Sequence, residues 1–274
     1  MRIVYDNLVE RKGASLTAST SAGSLAPQNL ISNRKGLVWR STESSASLTM
    51  TLPQQEFVAF TALAFCNLTS EAQMEVRVLS AGVEVYSSGY FLACPPGVFG
   101  SLSWGHEPLG VNHYTYAEQQ VYAYHWLSEV AVGDQIVVSI SDPNNPAGYL
   151  EAGKLVVGNY WSPEITADLG VTLGVVDASR TARTDSGDLT TSVGPRSKTL
   201  SFSLSSLLPE EGQRLRSLLL AAGKDRAVFV SLYPENEDPT KEQAFQLLGK
   251  QSRSGGLKLT HFNNTASSVE LEEL

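Results

Sequence analysis

Positive charge is missing from a long part of this chain. From Val78 to Gly153 there is no lysine or arginine, while seven acidic residues fall in the same stretch. Over all 274 residues, 20 basic side chains face 28 acidic ones, for a net charge of -8. A body of this sign is repelled by phosphate backbones, which argues against nucleic-acid binding. Cysteine is nearly absent too: Cys66 and Cys94 are the only two, in the apolar settings ALAFCNL and FLACPPG. Two such residues make no disulfide framework and read as buried free thiols. No apolar run approaches the ~18 residues of a helical membrane span. Charges at residues 2, 6, 10, 11 and 12 interrupt any signal-peptide core, so the expectation is a soluble chain made in the cytoplasm. Disorder is excluded in turn, because 42% of the residues are hydrophobic, only 18% are charged, and mean hydropathy is -0.09.

Catalytic signatures are also lacking. There is no G-x-S-x-G elbow, Walker A loop, H-E-x-x-H, C-x-x-C or dinucleotide fingerprint. His106, His113 and His125 lie near Glu107 and Glu118, yet their spacing puts no two on one helix or hairpin face, so structural histidines are the reading. Ser101 and Ser103 have no recognisable base beside them. Asp142-Pro-Asn-Asn-Pro is a turn before it is a calcium loop, since the full EF-hand spacing is absent. The sequons at Asn67 and Asn263 read as chance. No catalytic residue, cofactor or metal ligand is assigned, and the expectation is a protein that is not an enzyme.

What is present is strand signal. Short β-branched and aromatic stretches sit between Gly, Pro, Asn and Ser at Ser47–Leu52, Phe57–Phe65, Met74–Leu79, Gln135–Ile140, Lys154–Val157, Leu200–Leu204, Ala227–Leu232 and Leu257–Thr260. Many strands with turns every ten or so residues predict a mainly β protein, a sandwich or barrel. One segment departs from this. Pro209–Ala222, PEEGQRLRSLLLAA, predicts a helix with Pro at its start, Glu210 and Glu211 at the positive end of the dipole, and Gly223 as its cap. Leu215, Leu218, Leu219 and Ala222 share its apolar face. A domain boundary is expected near residues 162–180, where alternation is lost. Residues 166–274 carry 12 basic and 14 acidic residues, against 8 and 14 before them.

Ten of the aromatic residues crowd between Tyr86 and Trp126. Three readings are open: a sugar-stacking surface, an aromatic protein interface, or the second sheet of a sandwich core. Core and interface are preferred, because Tyr and Trp are enriched at interfaces. Were this cation-free surface to line a passage for DNA, it would offer the phosphates no anchor.

The segment ASLTASTSAGSLAPQNLISNRKGLVWRST, with Asn29-Leu30 and then Trp39-Arg40, is followed by a β-rich stretch ending at Asn67-Leu68. It resembles the front of galactose-binding-like jelly rolls in structural proteins of bacteriophage tails. EAGKLVVGNYWSP, with Gly153, Gly158 and Trp161, looks like the closing strand of that module, and the segment from Arg183 to Asn236 is similar to the β-plus-helix unit that accompanies it. The resemblance implies an N-terminal jelly-roll β-sandwich over residues 1–165, carrying the aromatic insertion, and a smaller β-rich domain with one main helix over residues 166–274. It implies a virion protein of the tail tip, assembled in the host cytoplasm. Such a protein forms a ring with itself and meets tail-tube, tape-measure and hub proteins, with no sequence-specific nucleic acid and no membrane insertion. The alternative is a carbohydrate-binding module that helps attach to a host glycan. A ring needs two different patches per copy. Tyr90, Trp104, Tyr114, Tyr116 and Tyr122 are the candidates for one, and Arg180, Arg183 and Arg196 for the other. Trp39 and Trp161 are expected to pack inside the first domain.

Overall fold

The structure, a computed structural model, describes residues 1–95, 121–253, 255–261 and 264–274. The chain is mainly β and separates into two compact units: residues 2–161 with 233–246, and residues 162–232 with 247–274 and Met1.

The first unit is a jelly-roll β-sandwich. Its strands are β1 (Arg2–Val4), β2 (Ser15–Ala18), β3 (Trp39–Arg40), β4 (Ser45–Cys66), β5 (Gln73–Ser80), β6 (Val83–Ser87), β7 (Phe91–Leu92), β8 (Val121–Ser141), β9 (Glu151–Ala152) and β10 (Lys154–Gly158). The main sheet runs β10-β4-β8-β5-β6, with β2 on β4 and β7 on β5, while β3 and β9 form a separate pair. In the middle of this sheet neighbours in space are distant in sequence, β10 beside β4 and β4 beside β8, while β5 and β6 form a hairpin at its edge.

Period-two alternation explains half of this sheet. Ala46, Leu48 and Met50 of β4 stand opposite Ile140, Val138 and Ile136 of β8. Those three in turn oppose Met74, Val76 and Val78 of β5. All nine are buried. The other face of these rows is polar, with Ser47, Thr49 and Ser139 among them. Farther along β4, FVAFTALAFC loses its alternation, because from Val58 to Ala64 it is buried on both faces. β4 and β8 are thus much longer than the sequence segments suggest, and their pairing continues past three shifts of register, at Thr51/Glu56, Val58/Phe60 and Ala64/Cys66.

The ends of the unit are tied by few residues. Ile3 and Trp161 exchange backbone hydrogen bonds of 2.8 Å each. Buried Asn7 accepts from Val157 N at 3.0 Å and donates to Leu155 O at 2.9 Å. Lys154, 1% exposed, donates to Glu10 at 2.5 Å and to Ile31 O at 3.1 Å, so its buried charge is paired. Trp39 is wholly buried and donates its indole N–H to Thr20 O at 3.1 Å. Trp161 is buried as well. Both tryptophans therefore belong to the packing of this unit. The two thiols are buried and not joined in a disulfide. A hydrogen bond from Cys94 lowers the pKa of Cys66 against the effect of burial.

The second unit contains β11 (Thr172–Asp177), β12 (Arg180–Arg183), β13 (Leu189–Ser192), β14 (Arg196–Leu207), helix α1 (Pro209–Ala222), β15 (Val228–Ser231), β16 (Gln246–Gln251), β17 (Leu257–His261) and β18 (Asn264–Glu273). Its sheet runs β15-β16-β18-β14-β11, with β17 also on β18. Leu200 and Phe202 of β14 face Leu271 and Val269 of β18. Helix α1 crosses this sheet at close range, where a Cβ on Gly212 would collide with Thr265. Its bounds are those the sequence predicts. Glu211 accepts from Leu208 N at 3.1 Å, and Gly223 takes the positive φ of 53° that ends the helix.

Leu215, Leu218 and Ala222 are buried, whereas Leu219 is only half-buried. The apolar face is therefore one residue narrower than its spacing suggests. Leu215→Asp should cost several kcal/mol, because an unpaired carboxylate has no partner in that core. Chemical denaturation reads the loss, and an unchanged midpoint would show that the face is not packed.

Candidate functional site

The aromatic stretch divides once it folds. Tyr90 is 62% exposed and remains a surface residue. Tyr122 is 1% exposed and packs near Phe65, with ring centroids 5.8 Å apart. It is a core residue and not an interface residue, because β8 is buried on both faces where it crosses the second half of β4. Trp104, Tyr114 and Tyr116 lie outside the described residues, as do His106, His113, Ser101 and Ser103.

The segment Tyr233–Gln246, with its short helix Pro239–Ala244, is held to the first unit by Trp126. The indole of Trp126 donates to Glu242 Oε1 at 2.9 Å, and Glu242 Oε2 accepts from Glu235 N at 2.8 Å. Arg2 lies 4.9 Å from the Trp126 ring and 4.5 Å from the Tyr160 ring, and pairs with Glu235 at 2.8 Å. Beside this cluster His125 stacks on Phe91 at 4.5 Å and shares a 2.8 Å hydrogen bond with Tyr86. Burial lowers the His125 pKa, and the Glu235 carboxylate opposes that shift in part.

Because the folded pKa lies below the ordinary 6.5, the unfolded chain takes up this proton first. The stability His125 contributes is present above pH 6.5 and declines as pH falls from there through the folded pKa. Thermal midpoints between about pH 5 and 7.5 should fall less steeply in His125→Gln than in the parent. Parallel curves would exclude His125 as the titrating group.

The three arginines of the second candidate patch do not form one cluster. Arg180 and Arg183 are three residues apart on β12, so the pleat sends them to opposite faces. Arg196 on β14 pairs with Asp177 at 3.0 Å. That contact, after the hydrogen bonds from Ser179, helps hold the Asp177 pKa at about 2.

What surrounds these arginines is less expected. β11 pairs with β14 from Thr172↔Ser201 to Asp177↔Arg196, and the same two chain segments continue as β12 and β13 from Arg180↔Ser192 to Arg183↔Leu189. The sheet partner β18 accompanies β14 only as far as Thr199. Beyond that point the two segments run as a ribbon of two strands, about 30 Å long at ~3.3 Å per residue. Thr184–Asp188 turns the ribbon: Thr184 N donates to Asp188 O at 2.9 Å, and Gly187 sits at φ 91°. Nearly every residue of the ribbon is exposed on both faces, including Leu189 at 63% and Val193 at 83%. A two-stranded ribbon is marginal in water and has two open edges, so an exposed arm of this kind is suited to pairing with another chain.

A second arrangement lies on the first unit. Arg40 donates from Nε and a terminal nitrogen to Glu151 at 2.8 and 2.6 Å, and its guanidinium lies 4.1 Å from the Tyr149 ring. Asn67 ties the group together, donating to Tyr149 O at 3.0 Å and accepting from Glu151 N at 2.7 Å. Cation, carboxylate and ring are the groups that recognise sugar hydroxyls and faces, but here the cation and carboxylate are paired with each other and the cation lies on the ring. Asp142 is fully buried in a turn, accepting from Thr69 N at 2.8 Å, Thr69 Oγ1 at 2.7 Å and Asn145 at 3.0 Å. Among the described residues no group of three or more His, Cys, Asp or Glu could hold a metal ion.

No protein-family model matches the chain, and no curated protein matches it. Solved structures do. The family 32 carbohydrate-binding module of Clostridium perfringens NanJ, in complex with galactose, is 13% identical over 59% of this chain and 100% of the module, with a TM-score of 0.39. A second C. perfringens module, in complex with GalNAc-β-1,3-galactose, is 10% identical over 56% of this chain and 100% of its own, with a TM-score of 0.37. A Streptococcus pneumoniae fucose-binding module is 10% identical over 57% of this chain and 99% of its own, with a TM-score of 0.36. These are carbohydrate-binding modules, and none of the three is a phage tail protein. At such values the likeness carries no argument about what this chain binds.

Proposed function

We propose that the chain is a structural subunit of a homo-oligomeric assembly, with no catalytic role. The observation that carries this reading is the two-stranded arm, which spends about 24 residues on a feature that adds nothing to the core of its own unit. A standard interface uses about 20 to 30 residues on each side, so the arm is the size of one such half. On the resemblance of its first segments, the assembly is the tip of a bacteriophage tail: a ring between tube and hub, next to the tape-measure protein. The cation-free stretch from Val78 to Gly153 agrees with a place beside a DNA conduit. Negative-stain imaging of the purified chain should give closed rings, and gold-labelled antibody should mark tail tips on particles from the producing host. Label elsewhere on the particle would remove the tail-tip assignment, and featureless monomers would remove the assembly.

A second reading, a glycan-binding module, has its own observation in Arg40, Tyr149 and Glu151. Binding sugar is also what the matched modules are named for, and that activity belongs to them. An immobilised glycan panel, with Tyr149→Ala as the control, separates the two. Binding that depends on Tyr149 would put the glycan reading first.

A further inference from the structure

We infer that the arm of one subunit docks into a groove on the second unit of another copy, between helix α1 and strand β17. This rests on the assembly reading and names the partner and its seat. The groove has a volume of about 670 Å³ and an apolar lining that includes Leu219, Leu220, Leu257 and Leu259. Leu220 is 73% exposed and Leu259 80%. Among its described lining residues the charged ones are Arg216 and Lys224, both cations.

The arm offers the complement. Its turn presents Asp185 and Asp188, with Leu189 beside them, while the nearby Arg183 is engaged with Gly187 O at 2.9 Å. Two carboxylates next to an exposed leucine match an apolar groove rimmed by two cations. β17 pairs with β18 along one edge, and among the described residues no strand lies on its other edge. An incoming strand can therefore add backbone hydrogen bonds there while its side chains enter the groove.

Among the described residues neither surface is covered, since Leu189 and Val193 on the arm and Leu220 and Leu259 at the groove are all exposed. The two surfaces differ, so their contact is head-to-tail. Such a contact generates a ring where the rotation closes. A second copy is the occupant that supplies both halves from one sequence. Half-buried Leu219 also finds its use here, as groove lining.

The test is charge exchange, followed by sedimentation velocity on the full chain. Asp185→Lys with Asp188→Lys should weaken self-association about tenfold or more, and so should Arg216→Glu with Lys224→Glu. The fourfold variant should recover most of the loss, because the reversed charges again face opposites. All four side chains are exposed, and unchanged thermal midpoints confirm that the variants fold. If the parent associates and both reversals leave its association unchanged, the arm does not sit in this groove, and the assembly reading stands without it. Loss in both pairs with no recovery in the fourfold variant would likewise overturn the pairing of these two surfaces. A parent that stays monomeric up to about 100 µM would remove the assembly reading itself, and this inference with it.

Discussion

Excising Ala178–Pro195 and joining Asp177 to Arg196 through Asn-Gly should leave a folded chain that no longer associates. Asp177 and Arg196 are directly opposed partners at the base of the arm, so a two-residue turn closes the hairpin without changing register. The removed residues are exposed nearly throughout and contribute no side chain to the buried core. Stability should therefore stay within about 1 kcal/mol of the parent, the range of surface changes, while self-association falls by orders of magnitude. Light scattering gives the mass and thermal melting gives the fold. An excised chain that still forms the parent's oligomer would place the interface elsewhere.

The largest stability loss is expected from Trp39→Ala. The indole is fully buried and its N–H is spent on Thr20 O at 3.1 Å. Truncation removes the ring, leaves a cavity in the core where Trp39 packed, and takes the indole donor from the half-buried Thr20. Together these cost about 3 to 5 kcal/mol. For a chain of this size that corresponds to a fall of roughly 6 to 20 °C in thermal midpoint. Arg40 is the next residue in the same short strand, so Trp39→Ala should also loosen the Arg40–Glu151 pair. An unchanged midpoint would mean that this corner of the sandwich is not part of the cooperative fold.

Residues whose surroundings are local were legible in the sequence. Helix α1 shows its bounds through Pro209, Glu210, Glu211 and Gly223, because caps act over one turn. Met74–Leu79 and Gln135–Ile140 show as strands because one of their faces is wet and the other dry. Tyr122 could not be placed in this way: it lies in a strand buried on both faces, where an aromatic residue has the same neighbours in sequence whether it ends in a core or at a surface. Leu219 was misplaced by one step around the helix, since spacing alone does not show where the covering sheet stops.

The arm was the least legible element. RTARTDSGDLTTS has neither a dry face nor any large apolar residue but Leu189, and it reads as the unpatterned start of a second domain. Its strands hold their register through turn chemistry at Thr184, Gly187 and Asp188. The attachment of Tyr233–Gln246 to the first unit was hidden for another reason. It rests on contacts between residues far apart in sequence, the Trp126–Glu242 hydrogen bond across 116 residues and the Arg2–Glu235 pair across 233, which no local pattern announces.

Hydrogen exchange of the amides from Val175 to Lys198, followed as the chain is concentrated, tests most directly whether the arm is the assembling element. In a free subunit the ribbon's ladder is open to water and its amides should exchange almost without protection. Association through the arm should slow them by orders of magnitude, in step with the oligomer fraction, while the amides of β4, β5 and β8 stay unchanged. Fast exchange along the arm in fully assembled protein would contradict the account.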